Sequence, residues 1–323
     1  MPVIENSTYR PSFFFKNKHL NTVYRTFFNK LVINYKRERI ELIDGDFIDL
    51  DISSVNSDKV VVAIHGLEGS SQSTYMQSLC NLLNQNNFDV IAVNLRGCSG
   101  HPNRLFSSYH SGKTDDLEAI IQYVEAHYGY NEIHLVGYSL GGNITLKYMG
   151  EKEASISSKI KSAVGVAVPC DLKASSDKIT SFANRVYLKM FLKSLREKSF
   201  QKLRQFPDSF LTKEVILSIK SFRDFDDAYT GPAHGFKDAE DYYEKSSSKQ
   251  YIPTIKRPTL LITSLDDPFF SSECYPFREA SQNSHFFLEA TNYGGHVGYA
   301  SSFDVAKNNW CENRILSFIT YKE

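Results

Sequence analysis

The chain has 323 residues, of which 41% are hydrophobic and 23% charged, a composition that is ordinary for a globular protein with a large core. Its 37 basic and 37 acidic residues balance, which argues against a nucleic-acid partner or a strongly acidic one. The five scattered cysteines form no C-x-x-C pair, so we expect no disulfide framework and a cytoplasmic, reducing location.

The N-terminal residues indicate neither a leader nor a membrane anchor. Residues 1–12 have no basic region followed by an apolar core, so we predict no signal peptide. No stretch approaches the ~20 apolar residues that span a bilayer, which predicts no transmembrane segment. Residues 13–15 are phenylalanines, and basic residues follow them closely: Lys16, Lys18, Arg25 and Lys30. We expect this segment to pack over the domain with its lysines in water; peripheral membrane or lipid contact is the alternative.

The first regular pattern predicts an antiparallel hairpin, because residues 39–42 and 48–52 alternate apolar and polar side chains around Asp44-Gly45. Continuous apolar runs then predict strands buried on both faces, at residues 60–64, 89–93, 133–136 and 163–168. Helical spacing separates these runs, at residues 75–83, 117–124 and 140–149, with Thr114 as an N-cap. This alternation predicts the α/β class, with a doubly wound, mostly parallel sheet.

The alternation breaks between residues 171 and 256, which are rich in Lys, Ser and aromatic residues. Apolar side chains there recur at helical spacing, at Phe182, Val186, Met190 and Phe191. We predict a mostly helical lid, inserted after the sixth core strand within a single domain of residues 1–323. The sheet is expected to resume at 259–263 and 286–288, and a final helix to cover roughly 303–321.

The strongest chemical signal is the pentapeptide Gly137-Tyr138-Ser139-Leu140-Gly141, a G-x-S-x-G sequence directly after an apolar strand and before a helix. In the α/β-hydrolase fold this sequence forms a sharp, strained turn that presents the serine hydroxyl above the sheet. It therefore predicts Ser139 as a nucleophile and the α/β-hydrolase fold as its scaffold.

A serine hydroxyl needs a general base, which in this fold follows it in the chain. Three of the nine histidines do so: His234, His285 and His296. His285 begins a strand and His234 lies in the predicted lid. His296 occupies a glycine-rich loop after the last strand, where an imidazole can reach the serine. We therefore predict His296 as the base.

The acid that orients the base is expected just after the penultimate strand, where the chain reads Leu265-Asp266-Asp267-Pro268-Phe269. Only one of the two aspartates can point at the imidazole, and we favour Asp267. Asp266 is the first alternative and Asp171 the second. The non-catalytic alternative is that the two aspartates only cap the turn of an Asp-Asp-Pro loop.

The tetrahedral intermediate of acyl transfer needs two backbone N–H donors. One is predicted at Leu140, directly after the nucleophile. The other is predicted at Leu67, in the H-G-x-x-G loop of residues 65–69, whose glycines permit the required turn. We expect His65 to be a structural hydrogen-bonding residue and Arg96 to pin neighbouring loops.

The remaining sequence motifs are weaker evidence for a function. His110 and Asp115 have the H-x-x-x-x-D spacing of some acyltransferases, which arises easily by chance. No cluster has metal-ligand spacing, and no glycine-rich phosphate loop is present. We therefore predict no metal and no cofactor.

Together these motifs resemble the YheT-like family of α/β-hydrolases, which is related to eukaryotic abhydrolase-domain esterases and lipases. The resemblance covers nearly the whole chain and starts at residues 10–24, an aromatic pair with an asparagine-to-tyrosine pattern. The other matching segments are the serine pentapeptide and residues 65–69, 96–100, 102–104, 109–112, 225–227, 241–243, 266–269 and 294–298. Phe13 and Phe14 stand where the family often has tryptophans, which would alter their fit to a substrate or lid.

The resemblance implies hydrolysis of carboxylic esters by Ser139, Asp267 and His296, on a small-molecule ester with a short or medium acyl chain. A lipase or phospholipase, acting on acylglycerols or lysophospholipids, is the alternative that the aromatic N-terminus and apolar lid helix favour. A non-catalytic ligand-binding protein on a hydrolase scaffold is a third hypothesis, against which the intact residue order argues. A perhydrolase or a C–C hydrolase would use the same three residues.

Overall fold

The computed structural model describes residues 2–28 and 31–321, so Lys30 of the N-terminal basic group lies outside the described residues. The strands are β1 (Val3–Ile4), β2 (Lys36–Glu41), β3 (Phe47–Ser53), β4 (Lys59–Ile64), β5 (Asp89–Asn94), β6 (Glu132–Tyr138), β7 (Ile160–Val166), β8 (Thr259–Ser264) and β9 (Phe286–Thr291). They form one nine-stranded sheet in the order β1-β9-β8-β7-β6-β4-β5-β3-β2. The described strands thus belong to a single sheet.

The sheet is mostly parallel, as predicted. In sheet order, the seven strands β1, β9, β8, β7, β6, β4 and β5 pair in parallel. Pairing is antiparallel only between β5 and β3 and between β3 and β2. The predicted hairpin is confirmed: β2 and β3 pair across a turn in which Gly45 has a φ of 85°. Ile64 pairs with Gly137, and Ser264 pairs with Thr291, so the loops after each pair of strands lie side by side.

Helices cover both faces of the sheet. They are α1 (Lys18–Phe28), α2 (Thr74–Gln85), α3 (Thr114–His127), α4 (Leu140–Lys152), α5 (Leu172–Thr180), α6 (Arg185–Gln205), α7 (Lys213–Ser218), α8 (Phe222–Phe225), α9 (Gly231–His234), α10 (Ala239–Ser246), α11 (Phe277–Gln282) and α12 (Trp310–Thr320). Short 3₁₀ turns lie at Phe13–Lys16, Glu153–Ser155, Phe182–Asn184, Ser248–Thr254, Ser272–Cys274 and Val305–Lys307, and a π-helical turn at Asp226–Thr230. None of the helices in the described residues combines the length and apolarity needed to cross a membrane.

The central strand β4 explains why the apolar runs are continuous. Val60, Val62 and Ile64 point into a core shared with α3 and α4, whereas Val61 and Ala63 point into a second core shared with α2, α6 and α12. Side chains alternate between the two faces of a strand, so a strand covered on both faces is apolar at every position. The doubly wound architecture is therefore confirmed.

Residues 171–256 contain helices α5 to α10 and no strand, between β7 and β8. The preceding strand is the seventh rather than the sixth, because the two-residue strand β1 was not predicted. Phe182, Val186 and Met190 contributed to the helical pattern, but their side chains are exposed. The packed side of α6 carries other apolar residues: Leu188, Leu192 and Leu195.

Two predicted helix boundaries were wrong. Thr114 is the first residue of α3 rather than its N-cap, and its hydroxyl donates to Glu151 Oε2 at 2.5 Å. The last helix begins at Trp310, since the residues before it form a 3₁₀ turn and a loop. The sequence pattern thus located both helices but not their first residues.

Candidate active site

Ser139 lies in the turn between β6 and α4, with φ 50° and ψ −115°. This backbone conformation is strained for a side chain with a Cβ and is typical of functional positions. The turn fits because residue 141 is glycine: a Cβ on Gly141 would lie 2.5 Å from the carbonyl oxygens of Ile64 and His65. The elbow therefore packs directly against the end of β4.

A continuous chain of hydrogen bonds joins the three residues that sequence analysis selected. His296 Nε2 lies 2.9 Å from Ser139 Oγ, and His296 Nδ1 lies 2.8 Å from Asp267 Oδ2. With the proton on Nδ1, the imidazole donates to Asp267 and accepts from the serine hydroxyl. This is the geometry in which a histidine can remove the serine proton.

The two adjacent aspartates have different partners. Asp267 is buried, and its second oxygen accepts from the Phe269 N–H at 2.8 Å. Burial raises the pKa of the Asp267 carboxyl, and His296 opposes that shift. Asp266 instead accepts from the Gly295 N–H at 2.9 Å, and so braces the loop that carries the histidine.

The other candidate acids and bases have different contacts and do not join Ser139. Asp171 caps α5 by accepting from the Ala174 N–H, and His285 directly precedes β9. His234 packs against His110, with ring centroids 4.5 Å apart. Asp115 is paired with Lys113 at 2.5 Å, and nothing in the described residues joins it to His110. The acyltransferase-like spacing therefore forms no site.

Leu67 and Leu140, the predicted oxyanion donors, line the same cavity as Ser139 and His296. A Cβ on Gly66 would lie 3.2 Å from Ser139 Cβ, so the loop after β4 touches the elbow. The N–H groups on either side of Leu67, at Gly66 and Glu68, donate to tyrosine hydroxyls at 2.9 and 3.0 Å. Within the described residues, the Leu67 and Leu140 N–H groups have no protein acceptor.

His65 fixes the start of this loop. Its ring is buried, lies 2.7 Å from the Gly66 carbonyl through Nδ1, and accepts from the Leu95 N–H at 3.2 Å through Nε2. Burial lowers the pKa of His65 to about 4, so the ring is neutral near pH 7. These contacts fit the structural, hydrogen-bonding role expected for His65.

Glu68 connects the same loop to α6, a connection that the sequence did not suggest. Its carboxylate accepts from Lys198 Nζ at 2.8 Å and from the Tyr109 hydroxyl at 2.7 Å, and also from the Ser194 hydroxyl. Lys198 and Ser194 both belong to α6. Helix α6, which forms one wall of the cavity, is therefore tied to the loop of residues 65–69.

Arg96 joins three segments near the site. It donates to both oxygens of Asp116 at 2.8 and 2.6 Å, and to Asp44 and Asp46 at 2.7 and 3.2 Å. The guanidinium is almost fully buried and pairs with α3 and the hairpin turn together. It pins neighbouring loops, as expected from its place after β5.

Helix α1 contacts the loop that carries His296, a contact that the sequence did not predict. The His296 N–H donates to Thr22 Oγ1 at 2.9 Å, and that hydroxyl donates to the Lys18 carbonyl at 2.7 Å. Directly before Thr22, the buried Asn21 side chain donates to the Ala300 carbonyl at 3.2 Å and accepts the Ala300 N–H at 2.9 Å. Helix α1 thus positions both ends of the loop.

The helix approaches this loop closely because residue 295 is glycine, with φ 57°; a Cβ there would lie 2.5 Å from the Lys18 carbonyl oxygen. Arg25 adds a buried ion pair with Glu312 of α12, and donates to the Gly298 carbonyl at 3.4 Å. The two terminal segments of the chain therefore meet beneath the histidine.

The cavity at these residues is open to solvent. Its apolar wall comes largely from the segment 171–256 and includes Phe191, Leu195 and Phe222. Its polar wall includes Asp226, which accepts hydroxyl protons from Thr230 and Tyr243, each at 2.7 Å. Burial raises the pKa of Asp226 to about 7.

Comparison with known proteins agrees with this architecture. The model of the α/β hydrolase fold family matches residues 59–301. YheT of Escherichia coli (strain K12), itself a candidate esterase, is 33% identical over 95% of this chain and 91% of its own length. Phospholipase ABHD3 of Bos taurus is 26% identical over 98% of this chain and 79% of its own length.

Among solved structures, an esterase from Pyrococcus furiosus has a TM-score of 0.56 and 19% identity, covering 88% of this chain and 90% of that chain. This likeness concerns the fold. With the family match over residues 59–301 and the YheT relative, it leads to one conclusion. The chain belongs to the α/β hydrolase fold family.

Proposed function

We propose that this protein is a serine hydrolase that cleaves carboxylic esters through an acyl-enzyme, with Ser139, His296 and Asp267 as its catalytic triad. The observation that carries the proposal is the unbroken hydrogen-bond chain from Ser139 Oγ through His296 to Asp267, at the wall of a large cavity. The esterase and phospholipase names of its relatives support the same chemistry.

In the proposed reaction, Ser139 Oγ attacks the ester carbonyl carbon while His296 Nε2 takes the hydroxyl proton. Asp267 holds the ring and stabilises the imidazolium. The oxyanion is bound by the N–H groups of Leu67 and Leu140. The C–O bond to the alcohol then breaks, and His296 returns its proton to the leaving alkoxide. Water attacks the acyl-enzyme by the same route and releases the acid and free Ser139.

We propose short- to medium-chain acyl esters as the first substrate class and acylglycerols or lysophospholipids as the second. The apolar wall formed by Phe191, Leu195 and Phe222 favours an acyl chain in the cavity. The relative named a phospholipase supports the lipid class. A series of p-nitrophenyl esters from acetate to palmitate separates the two, because a lipase turns over the long esters better than the butyrate.

We also propose that residues 171–256 act as a lid, since this segment supplies much of the cavity wall and is tied to the oxyanion loop through Glu68. All five cysteines are free thiols, which suits a reducing compartment, and we propose the cytoplasm. Limited proteolysis with and without a fluorophosphonate inhibitor tests the lid, because a covalent occupant of the cavity should protect this segment from cleavage.

The decisive experiment compares the wild type with Ser139→Ala in ester turnover and in labelling by a fluorophosphonate. We expect the substitution to abolish labelling and to reduce kcat by about 10⁶-fold, since the nucleophile is lost. Turnover that survives the substitution would refute Ser139 as the nucleophile. A wild-type protein that neither labels nor turns over esters would instead favour a ligand-binding role.

A further inference from the structure

Helix α6 and the turn before it expose an apolar stripe to solvent. Phe182, Val186 and Met190 are 79%, 63% and 63% exposed. They are spaced four residues apart, so they lie on one face of the helix. Large side chains exposed together in this way mark a surface that another apolar phase covers.

The charged residues from 182 to 193 have a single sign. Arg185, Lys189 and Lys193 repeat at the same four-residue spacing, and all three are exposed. No acidic residue occurs from 182 to 193, and across the described part of the chain none of the three cations has a carboxylate within 4.0 Å. The Arg185 guanidinium lies 4.5 Å from the Phe182 ring centroid, so charge and apolar surface are adjacent.

The same helix reaches the cavity from its other side. Phe191 and Leu195 of α6 line the cavity that contains Ser139. Tyr187 packs on Phe269 with ring centroids 4.9 Å apart, and Phe269 packs in turn on the imidazole of His296 at 4.5 Å. The exposed stripe is therefore separated from the cavity by the width of one helix.

We propose that this stripe, residues Phe182, Val186 and Met190 with the cations Arg185, Lys189 and Lys193, docks the protein on an anionic lipid surface. Apolar side chains flanked by basic ones are suited to the headgroup region, where the first enter the acyl boundary and the second meet lipid phosphates. That a lipid ester passes from this surface to Ser139 rests on the proposed function. The docking on a lipid surface does not depend on that function.

Charge also favours lipid over a second copy of this chain. A two-fold interface would place each stripe against its own copy and bring like cations together. An anionic lipid surface neutralises all of them at once, and each basic side chain adds to the attraction. Binding should therefore weaken as salt is added.

The test is flotation of Ser139→Ala protein with phosphatidylcholine vesicles, with and without phosphatidylglycerol. This background prevents hydrolysis of the vesicles. We expect binding to the anionic vesicles, reduced about tenfold or more by the combined Phe182→Ser, Val186→Ser and Met190→Ser substitutions. The combined Arg185→Ser, Lys189→Ser and Lys193→Ser variant should lose the preference for phosphatidylglycerol. The control Ile43→Ser, which removes a fully exposed apolar side chain on the hairpin turn, should bind unchanged.

Absence of vesicle binding, or equal binding by the apolar-stripe variant, would overturn the proposal. So would analytical ultracentrifugation in which that variant loses self-association while vesicle binding persists, because the stripe would then be covered by a second copy. Turnover of soluble p-nitrophenyl butyrate by the wild-type background is measured in parallel and should not change with the stripe. Failure of that turnover would count against the esterase, and failure of flotation against the docking surface.

Discussion

Thr22 lies outside the set of residues that line the cavity, yet it contacts the loop that carries His296. Its hydroxyl accepts a hydrogen bond from the backbone N–H of His296, 274 positions away, and donates one to the carbonyl of Lys18. The imidazole must hold distances of 2.8 and 2.9 Å on its two sides. Small displacements at such a site are costly in rate, so we regard Thr22 as a positioning residue.

We expect Thr22→Val to lower kcat about tenfold with KM changed by less than about twofold, because the isosteric side chain cannot accept the His296 N–H. Thr22→Ser keeps the hydroxyl and should restore most of kcat. Steady-state kinetics with p-nitrophenyl butyrate measures both constants. Equal losses in the Val and Ser variants would show that the methyl group, and not the hydrogen bond, matters.

The adjacent aspartates provide a matched pair of substitutions. Asp267→Asn should lower kcat by about 10⁴-fold, since an amide facing Nδ1 favours the wrong imidazole tautomer. Asp266→Asn leaves that contact intact and can still accept from Gly295, so we expect a loss of about tenfold or less. The reverse order of effects would assign the orienting role to Asp266.

At this scale the sequence could predict residues whose chemistry comes with a local motif. Ser139 lies in a pentapeptide with one structural meaning, and His296 is the histidine after it that lies in a glycine-rich loop. Two neighbouring carboxylates are equivalent as letters, and only their contacts distinguish Asp267. Thr22 and Glu68 lie in segments that resemble the family, but their contacts could not be predicted, because their partners come from distant segments.

Helix α6 illustrates what periodicity can and cannot predict about an element. Apolar residues recur on two of its faces, one facing the core through Leu188 and Leu192 and the other exposed through Val186 and Met190. A 3.6-residue period indicates a helix but does not say which apolar face is covered. Strands such as β4 were easier, since full burial leaves no polar position to interrupt the run.

The buried carboxyl of Asp226, in the π-helical turn at Asp226–Thr230, should make stability depend on pH. The pKa of Asp226 is raised from 3.8 to about 7 by burial, so below about pH 7 the folded chain binds a proton that the unfolded chain does not. Stability from this group is therefore present at low pH and is lost as the pH rises through about 7. Asp226→Asn removes the ionisation. Relative to the wild type, its free energy of unfolding should therefore be more favourable to the folded state at about pH 8 than at about pH 5, by about 3 kcal/mol.

Urea unfolding of the wild type and Asp226→Asn, at about pH 5 and about pH 8, measures this difference. The matched control is Asp115→Asn, an exposed carboxylate paired with Lys113. A stability difference between wild type and Asp226→Asn that is the same at both pH values would contradict a protonated Asp226 in the folded protein.

For the whole molecule, the order of strands and helices predicted the doubly wound sheet, because local patterns and connection rules act together along the chain. The strand at one edge of that sheet could not be predicted by such rules. Strand β1 has two residues and pairs with β9, and the buried Arg25–Glu312 pair joins positions 287 apart. Contacts of this kind leave no periodic trace and need the folded structure.

The buried pair between α1 and α12 also has a consequence for the timing of synthesis. A growing chain acquires Arg25 early and Glu312 only near the end, and a guanidinium cannot be buried at low cost without its carboxylate. Until α12 has formed, Arg25 lacks its carboxylate, and α1 is held on the histidine loop only through Thr22 and Asn21. We therefore expect the loop of His296 to be held less firmly in a nascent chain that lacks α12.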